Sequence, residues 1–168
     1  ATSTAQGARF FSMFAGHGEF QTIVIAPGDA EQAFYLASEA MNLAWKFQTA
    51  VILLGDKHLS ESTCSVEIDE ALATFEGAKL WTGEGDYRRY SFTDDGVSPL
   101  AFPGTEGAIV KSDSYEHDEY GVTTEEADLI ARGHEKRLRK MRAIEAELRA
   151  RKTVMTYGDP GSDTAIVT

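Results

Sequence analysis

Two short polar stretches near the start of the chain carry residues that could bind a ligand. In the first, Ser3, Thr4 and Gln6 lie in a loop whose side-chain oxygens and backbone N–H groups can hold a polar molecule. In the second, His17 lies between two glycines and is followed closely by Glu19. Glycine lets the backbone bend sharply, which can bring His17 to a ligand. A frayed N-terminal cap and a surface histidine are the ordinary alternatives for these two stretches.

A third stretch, residues 116–121, places four ionisable side chains in succession and ends at a glycine. Consecutive side chains in a loop rarely converge on one ion, and no second His or Cys follows at ligand spacing, so we predict no metal site here. We expect a structured loop in which the carboxylates beside His117, Glu116 among them, face cationic groups of a neighbouring domain or subunit while His117 donates one ring hydrogen bond. Gly121, at the end of the loop, is expected to adopt a positive φ.

Composition excludes several classes of protein. The 168 residues include 27 acidic and 16 basic side chains, giving a net charge of −11, the opposite of what a general nucleic-acid binder needs. Cys64 is the only cysteine, so no intrachain disulfide or four-cysteine cluster can form, and a reducing, cytoplasmic setting is expected. No apolar run approaches the ~20 residues of a membrane-spanning helix.

The first half of the chain predicts an α/β fold. Residues 22–26 are typical of a short buried strand, and Asp29 with Gln32 forms a capping-box pattern at the start of a helix that extends to residue 47. The continuously apolar run 50–54 is typical of a strand that is buried on both faces of a parallel sheet. Strand, helix and strand together predict a right-handed βαβ unit.

The other elements are less regular. A short helix is expected within residues 7–18 and a long irregular connection up to residue 122. Thr123 and Glu126 form a second capping-box pattern, which predicts a helix up to about residue 151. Its predicted apolar seam comprises Leu129, Ile130, Leu138, Met141 and Leu148. Half of the basic residues lie on this helix, which we interpret as a solvated face, with docking to an anionic surface as the alternative. The last residues, 165–168, predict the start of a strand.

Taken together and in order, several stretches resemble the α subunit of the 2-oxoacid:ferredoxin oxidoreductases, which are thiamine-diphosphate enzymes. The resemblance covers nearly the whole chain, and the order of the motifs is more specific than any one of them. The matching stretches are residues 16–20, 23–29, 31–35, 42–44, 49–57, 96–99, 103–105, 116–121 and 135–137.

The resemblance implies a mostly parallel α/β fold that is one portion of a larger subunit. Residues 1–56 would be the back half of the pyrimidine-binding domain and residues 57–122 a long connecting segment. Residues 123–152 would form a helix, and residues 153–168 a linker with the first strand of a following α/β domain. The front half of the pyrimidine-binding domain, with the glutamate that engages the aminopyrimidine, would lie outside this chain.

The implied activity of the parent enzyme is oxidative decarboxylation of a 2-oxoacid to acyl-CoA and CO₂, with electrons passing to ferredoxin. Thiamine diphosphate and Mg²⁺ would be shared with a β subunit, and that partner subunit would carry the iron–sulfur cluster. Ferredoxin and coenzyme A would reach this chain only through the complex. The alternative is a non-catalytic domain of the same fold, degenerate or truncated, that serves assembly or binding.

The resemblance also assigns roles to residues. Thr4 and Gln6 would lie near the thiamine or the substrate, whereas Ser3 is marginal because the family usually has Lys or Arg there and Asp in place of Ala8. An interface or supporting role would belong to His17, Glu19, Glu116, His117 and Gly121. No residue of this chain is predicted to be catalytic or to bind a metal, and this portion alone is predicted to be inactive.

Overall fold

The computed structural model describes residues 7–18, 20–151 and 154–166. Within them, the regular elements begin with helix α1 and the unit formed by strand β1, helix α2 and strand β2. A short helix α3, a single 3₁₀ turn and a long helix α4 follow. The bounds are α1 Ala8–Phe14, β1 Thr22–Ile25, α2 Ala30–Phe47, β2 Ala50–Leu53, α3 Lys57–Glu61, the 3₁₀ turn Glu70–Leu72 and α4 Ala127–Arg149.

The two strands form a parallel pair, with Thr22 opposite Ala50 and Ile25 opposite Leu53. Helix α2 connects them, as the sequence predicts. At its start the Asp29 carboxylate accepts from the backbone N–H of Gln32 at 2.7 Å, which satisfies one of the free donors of the first turn. The Gln32 side chain in turn accepts from the backbone N–H of Gly28 at 3.1 Å. The capping interaction and the strand–helix–strand unit are therefore confirmed. Strand β2 is not buried on both faces as predicted, because Ala50 and Leu53 are exposed in a sheet that has only these two strands among the described residues.

The core joins this unit to the second half of the chain. Its buried side chains come from β1, from α2, from the loop before residue 100 and from α4, and they are Ile23, Leu43, Phe47, Val97 and Ile144. Partly buried side chains of both strands and of α4 pack around them, namely Ile25, Val51, Ala143 and Leu148. Because α4 contributes to the same core as the strands, it is held against them by apolar burial.

Helix α2 ends in a strained conformation that other contacts support. Gln48 follows the last turn with φ +47°, in the left-handed region that costs a non-glycine residue roughly 1–2 kcal/mol. Its side-chain amide donates to the Ser98 carbonyl at 2.6 Å, and its own carbonyl accepts from Lys140 Nζ at 3.2 Å. The end of α2 is thus fastened both to the loop that contains Ser98 and to α4.

The segment between β2 and α4 is mostly irregular, as expected, but it is anchored to α2. Asn42 is buried, and its amide donates to the Thr74 carbonyl at 2.8 Å while its side-chain oxygen accepts from the Glu76 N–H at 2.8 Å. Ser38 donates to the same Thr74 carbonyl at 2.9 Å. Both polar ends of the buried asparagine are therefore satisfied by loop backbone.

Helix α4 begins later than the sequence predicts. It starts at Ala127, its N-cap residue Glu126 makes no side-chain capping bond, and the expected capping box is absent. The Thr123 hydroxyl instead donates to the Asp113 carboxylate at 2.5 Å, while Thr124 Oγ1 accepts from the Glu126 N–H at 3.2 Å. The prediction was wrong because the loop competes successfully for the Thr123 hydroxyl.

The buried face of α4 also differs from the predicted seam. Leu138 and Met141 are 48% and 50% exposed, whereas Ile144 is buried. Lys136 and Lys140, four residues apart on the Ile144 side, are half-buried, so part of the basic cluster is not a solvated face. Gly96 makes this close approach possible, because a Cβ there would lie 2.5 Å from the backbone of both Lys136 and Lys140.

The expected strand at the end of the chain does not form within the described residues. Ala165 and Ile166 are irregular, and residues 167 and 168 lie outside the described part. A strand needs a hydrogen-bonded neighbour, and no described segment pairs with this one. In the described ranges, no helix combines the length and the apolar character needed to cross a membrane.

Candidate functional site

The stretch 116–121, which we call the acidic loop, folds into a tight turn around Asp118. The carboxylate of Asp118 accepts from the backbone N–H groups of Tyr120 and Val122, each at 2.9 Å. The Asp118 carbonyl accepts from the Gly121 N–H at 3.1 Å, and Gly121 has φ +82° as predicted. A short polar side chain that satisfies successive backbone donors is the usual way in which aspartate stabilises a turn.

The backbone of another segment lies directly against Gly121. A Cβ added at this position would collide with the Lys111 carbonyl oxygen and come within 3.2 Å of the Tyr90 ring. The residue is buried, so the neighbours have little room to move. Both its φ and its surroundings therefore require glycine.

The two glutamates of the acidic loop are paired within the chain. Glu116 binds the Arg137 guanidinium of α4 through both oxygens, at 2.8 and 3.3 Å. Glu119 accepts from the Phe92 N–H at 3.0 Å and from Arg88 at 3.3 Å. We expected such cations on a neighbouring subunit or domain; here the carboxylates use them to attach the loop to α4 and to the segment around residue 90.

His117 contributes through ring stacking. Its imidazole lies on the Tyr90 ring with a centroid separation of 3.7 Å and an angle of 29°. Its Nδ1 is 3.1 Å from the Asp118 carbonyl oxygen, and since that oxygen can only accept, Nδ1 carries a proton. The histidine is held by these contacts in one orientation, which leaves Nε2 as its second polar atom.

Lys136 of α4 binds the segment that contains Tyr90 and the loop that contains Ser98. Its ammonium donates to the Tyr90 carbonyl at 3.0 Å and to the Ser98 hydroxyl at 2.5 Å. Burial, followed by the positive charges of Lys140 and Arg89, lowers the pKa of Lys136 to about 8. This lysine therefore changes its charge much closer to neutral pH than an exposed lysine does.

Tyr120, on the solvent side of the acidic loop, contacts Asp86 and Arg88. The Tyr120 hydroxyl donates to the Asp86 carboxylate at 2.5 Å, and the Arg88 guanidinium lies over the Tyr120 ring at 5.2 Å. The hydrogen bond to Asp86 raises the pKa of Tyr120, because ionisation would break it. The loop is thus fixed at both ends and along its outer side.

The structure does not bring all the predicted site residues together. Glu116, His117 and Gly121 lie in one loop, whereas His17 is exposed in the bend between α1 and β1 and makes no side-chain hydrogen bond or ion pair with a described residue. Ser3, Thr4, Gln6 and Glu19 lie outside the described residues. Within the described ranges, no group of three or more His, Cys, Asp or Glu side chains could hold a metal ion.

Residues 1–136 match the model of the family described as "Pyruvate flavodoxin/ferredoxin oxidoreductase, thiamine diP-bdg". The chain belongs to this family. The match includes β1, α2 and β2 together with the whole acidic loop.

Individual relatives agree with the family. The chain is 39% identical over 171 residues to the protein named 2-oxoacid:ferredoxin oxidoreductase 1, subunit alpha, of Sulfurisphaera tokodaii, an alignment that covers 99% of this chain. It is 37% identical to the 2-oxoacid:ferredoxin oxidoreductase subunit alpha of Saccharolobus solfataricus. It spans 27% of the length of each of these relatives.

A solved structure from the same family has the same fold. It is the 2-oxoglutarate:ferredoxin oxidoreductase of Magnetococcus marinus with 2-oxoglutarate, coenzyme A and succinyl-CoA bound. The similarity has a TM-score of 0.81 at 32% identity and covers 86% of this chain and 26% of that one. The α/β fold expected from the sequence is therefore that of this thiamine-diphosphate-binding family.

Sequence reasoning missed the residues that hold the acidic loop in place. Tyr90 and Ser98 lie in irregular segments, and no pattern in the sequence connects them with α4. Lys136 could have been found, because Lys136, Lys140 and Ile144 recur at four-residue spacing and so share one helical face. Two lysines on the same helical face as an isoleucine indicate lysines that are half-buried rather than fully solvated.

Proposed function

We propose that this chain is part of the α subunit of a thiamine-diphosphate-dependent 2-oxoacid:ferredoxin oxidoreductase, which converts a 2-oxoacid and coenzyme A to acyl-CoA and CO₂ and passes electrons to ferredoxin. The observation that carries the proposal is the family match over residues 1–136, together with 39% identity to a named α subunit across 99% of the chain. A β subunit completes the site.

In this proposal the chain binds and positions, and other parts of the enzyme carry the chemistry. Bound thiamine diphosphate supplies a carbon nucleophile for the keto carbon of the substrate. Among the described residues, no three His, Cys, Asp or Glu side chains form a group that could hold a metal ion. In line with the resemblance, we assign the metal and the diphosphate to the β subunit and derive no step through them. The iron–sulfur cluster is assigned to the same partner, and the location of the whole enzyme to the cytoplasm.

Thr4 and Gln6 are the residues that we assign to the thiamine-proximal side, with Ser3 marginal. Their support is the resemblance of the loop and its hydroxyl and amide chemistry. In the assembled enzyme, Thr4→Val and Gln6→Leu should each raise the KM for the 2-oxoacid or weaken cofactor binding by about tenfold, since each removes one polar contact. Thr63→Val, at an exposed position of the irregular segment, is the matched control. Unchanged kinetics in both test variants would remove the assignment.

The acidic loop, with His17 and Glu19, is assigned to support of the interface and of the active centre. His117→Ala removes the ring that stacks on Tyr90, so we expect weaker subunit association or lower turnover without a change in metal content. His58→Ala, on the exposed surface of α3, is the control. Normal assembly and turnover in the His117 variant would show that the loop has no supporting role. Loss of a stoichiometric metal ion from that variant would show that the loop binds a metal after all.

The test of the function itself uses the complete enzyme, with the full-length α subunit and its partner. Reduction of ferredoxin or a viologen dye should require a 2-oxoacid, coenzyme A and thiamine diphosphate together, and pyruvate and 2-oxoglutarate are the substrates to compare. A complete, correctly assembled enzyme without turnover on any 2-oxoacid would contradict the proposal. That result would favour the non-catalytic assembly role.

A further inference from the structure

Three cationic side chains line one small cavity between α4, the end of α2 and the loop at residues 89–98. The cavity has a volume of about 100 Å³. Lys136 and Lys140 enter it from α4, and Arg89 enters it from the loop. The rest of its wall consists of neutral residues, namely Phe47, Gln48, Tyr90, Gly96, Val97 and Ser98.

No described carboxylate forms an ion pair with these three cations, although the charge of Glu119 acts on Lys136 from a longer distance. Lys136 donates to the Tyr90 carbonyl and the Ser98 hydroxyl, and Lys140 donates to the Gln48 carbonyl. The Arg89 guanidinium lies 4.9 Å from the centroid of the Tyr90 ring. Within the described ranges, none of the three forms an ion pair, although the nearby Arg137 has its own glutamate partner.

The positive charges of the three cations act on one another. Burial is the main cause that lowers the pKa of Lys136 and of Lys140. The charges of Lys140 and Arg89 lower the pKa of Lys136 further, and the charges of Arg89 and Arg137 lower that of Lys140. Like charges held together at partly buried positions are unfavourable unless an opposite charge compensates them. Neutral hydrogen-bond acceptors do not provide that compensation.

We propose that this cavity binds one small oxyanion, of the size and chemistry of a phosphate, sulfate or carboxylate group. Lysine and arginine donors that converge without an ion-paired protein carboxylate are the arrangement that recognises such groups. Since a water molecule occupies about 30 Å³ of liquid, the cavity has room for a few waters or one such anion. The site does not depend on thiamine chemistry, and it differs from the thiamine-proximal loop proposed above.

The bound anion would act as a cross-link. It would join Lys136 and Lys140 of α4 to Arg89, which directly precedes the Tyr90 on which His117 stacks. Occupancy would therefore stabilise the contact between α4 and the acidic loop. A ligand that binds only the folded state raises its stability as the ligand concentration rises.

The pH dependence of binding follows from the groups around the cavity. Lys136 faces Lys140 and Arg137 on its own helix and Arg89 and Glu119 on the opposite segments, and its ammonium also lies over the Tyr90 ring. Because its pKa is about 8 in the empty cavity, its charge is lost as the pH rises through that value. Sulfate affinity should therefore fall between pH 7 and 9, and sulfate remains fully ionised over that range.

The experiment titrates sulfate into the assembled enzyme by calorimetry, with chloride at matched ionic strength as the reference. We expect one saturable site per copy of this chain. Lys140→Gln and Arg89→Gln should each weaken binding about tenfold or more, because each removes a charge-assisted hydrogen bond. Arg142→Gln removes the same charge from an exposed position of α4 and should leave the affinity unchanged.

A second measurement does not depend on the variants folding. Crystals of the wild-type enzyme soaked in selenate should show an anomalous peak between Arg89, Lys136 and Lys140. The absence of saturable sulfate binding and of this peak would overturn the proposal, as would a carboxylate from another segment or subunit already filling the cavity. Binding that is equally strong in Lys140→Gln, Arg89→Gln and wild type would also overturn it.

Discussion

Two glycines of this chain, Gly96 and Gly121, allow one segment to reach the backbone of another. Each combines a positive φ with a neighbour that a Cβ would strike, the α4 backbone in one case and the Lys111 carbonyl in the other. Gly83 has a similar φ of +86° but nothing within 4 Å of the added atom. The chain therefore offers a direct comparison of backbone strain with and without collision.

Gly121→Ala should destabilise the full-length subunit much more than Gly83→Ala. The left-handed backbone alone costs about 1–2 kcal/mol, and the collision adds an overpacking cost of about 1–3 kcal/mol at Gly121 only. Urea unfolding of the two variants and the wild type measures the difference. Equal losses would mean that the Lys111 segment does not pack against the acidic loop.

Asn42→Ala should cost about 2–3 kcal/mol of unfolding free energy, again measured by urea unfolding. The substitution leaves the Glu76 N–H without its buried acceptor and removes one donor from the Thr74 carbonyl. Ser38→Ala removes the other donor to that carbonyl, from a half-buried position, and leaves no buried group without a partner, so it should cost less than about 0.5 kcal/mol. A similar loss in both variants would show that burial of Asn42 is unimportant.

Single residues were predictable from sequence where the signal is local. The positive φ of Gly121 follows from its place at the end of a polar loop, and the cap at Asp29 follows from Gln32 three residues later. The partners of Lys136 and Asn42 were not predictable, because those contacts join segments separated by 32 to 46 residues. A single sequence carries no pattern for such contacts.

At the scale of elements, the predicted N-terminal cap of α2 is confirmed, whereas the predicted cap of α4 is wrong. Both helices are preceded by a capping-box pattern, but only Asp29 uses it. Near α4, Asp113 lies close enough to take the Thr123 hydroxyl as a partner. The sequence alone does not show whether the Thr123 hydroxyl caps α4 or binds Asp113, and the fold selects the second. The buried side of α4 was predicted wrongly because its half-buried lysines were interpreted as solvated.

Asp29→Ala should destabilise the subunit by about 1 kcal/mol, because the Gln32 N–H then loses its acceptor at the first turn of α2. Asp29→Ser keeps a capping oxygen and should restore most of that loss. The thermal midpoint of each variant, read by circular dichroism, gives the order wild type, serine, alanine. If serine were no better than alanine, the cap would not contribute to the stability of α2.

At the scale of the whole molecule, the exposed aromatic residues indicate that this chain works as part of a larger assembly. Phe10, Phe11 and Phe14 of α1 are 65%, 74% and 69% exposed, which is uncommon for three such side chains on one short helix. The chain also spans only 27% of the length of its named relatives. Activity is therefore expected of the assembly and not of this portion.

The isolated 168-residue chain should show no 2-oxoacid oxidation when thiamine diphosphate, Mg²⁺, coenzyme A and a dye acceptor are supplied. The iron–sulfur and diphosphate sites are assigned to the partner, and the described residues contain no group of three or more His, Cys, Asp or Glu side chains that could hold a metal ion. Dye reduction is followed against a buffer control and against the assembled enzyme as the positive control. Any turnover by the isolated chain would contradict this assignment of roles.

The hydrogen bond from Lys140 to the Gln48 carbonyl closes a loop of 92 residues, and this has a consequence during synthesis on the ribosome. The pairing of β1 with β2 and the packing of α2 on them involve only residues up to 53, so this unit can begin to form as soon as it leaves the exit tunnel, before Val97 and Ile144 complete its core. The connecting segment, however, gains its anchors on α4 only after residue 140 has emerged. At translation rates of about 5–20 residues per second, it lacks these anchors on α4 for several seconds, during which a chaperone has access to it.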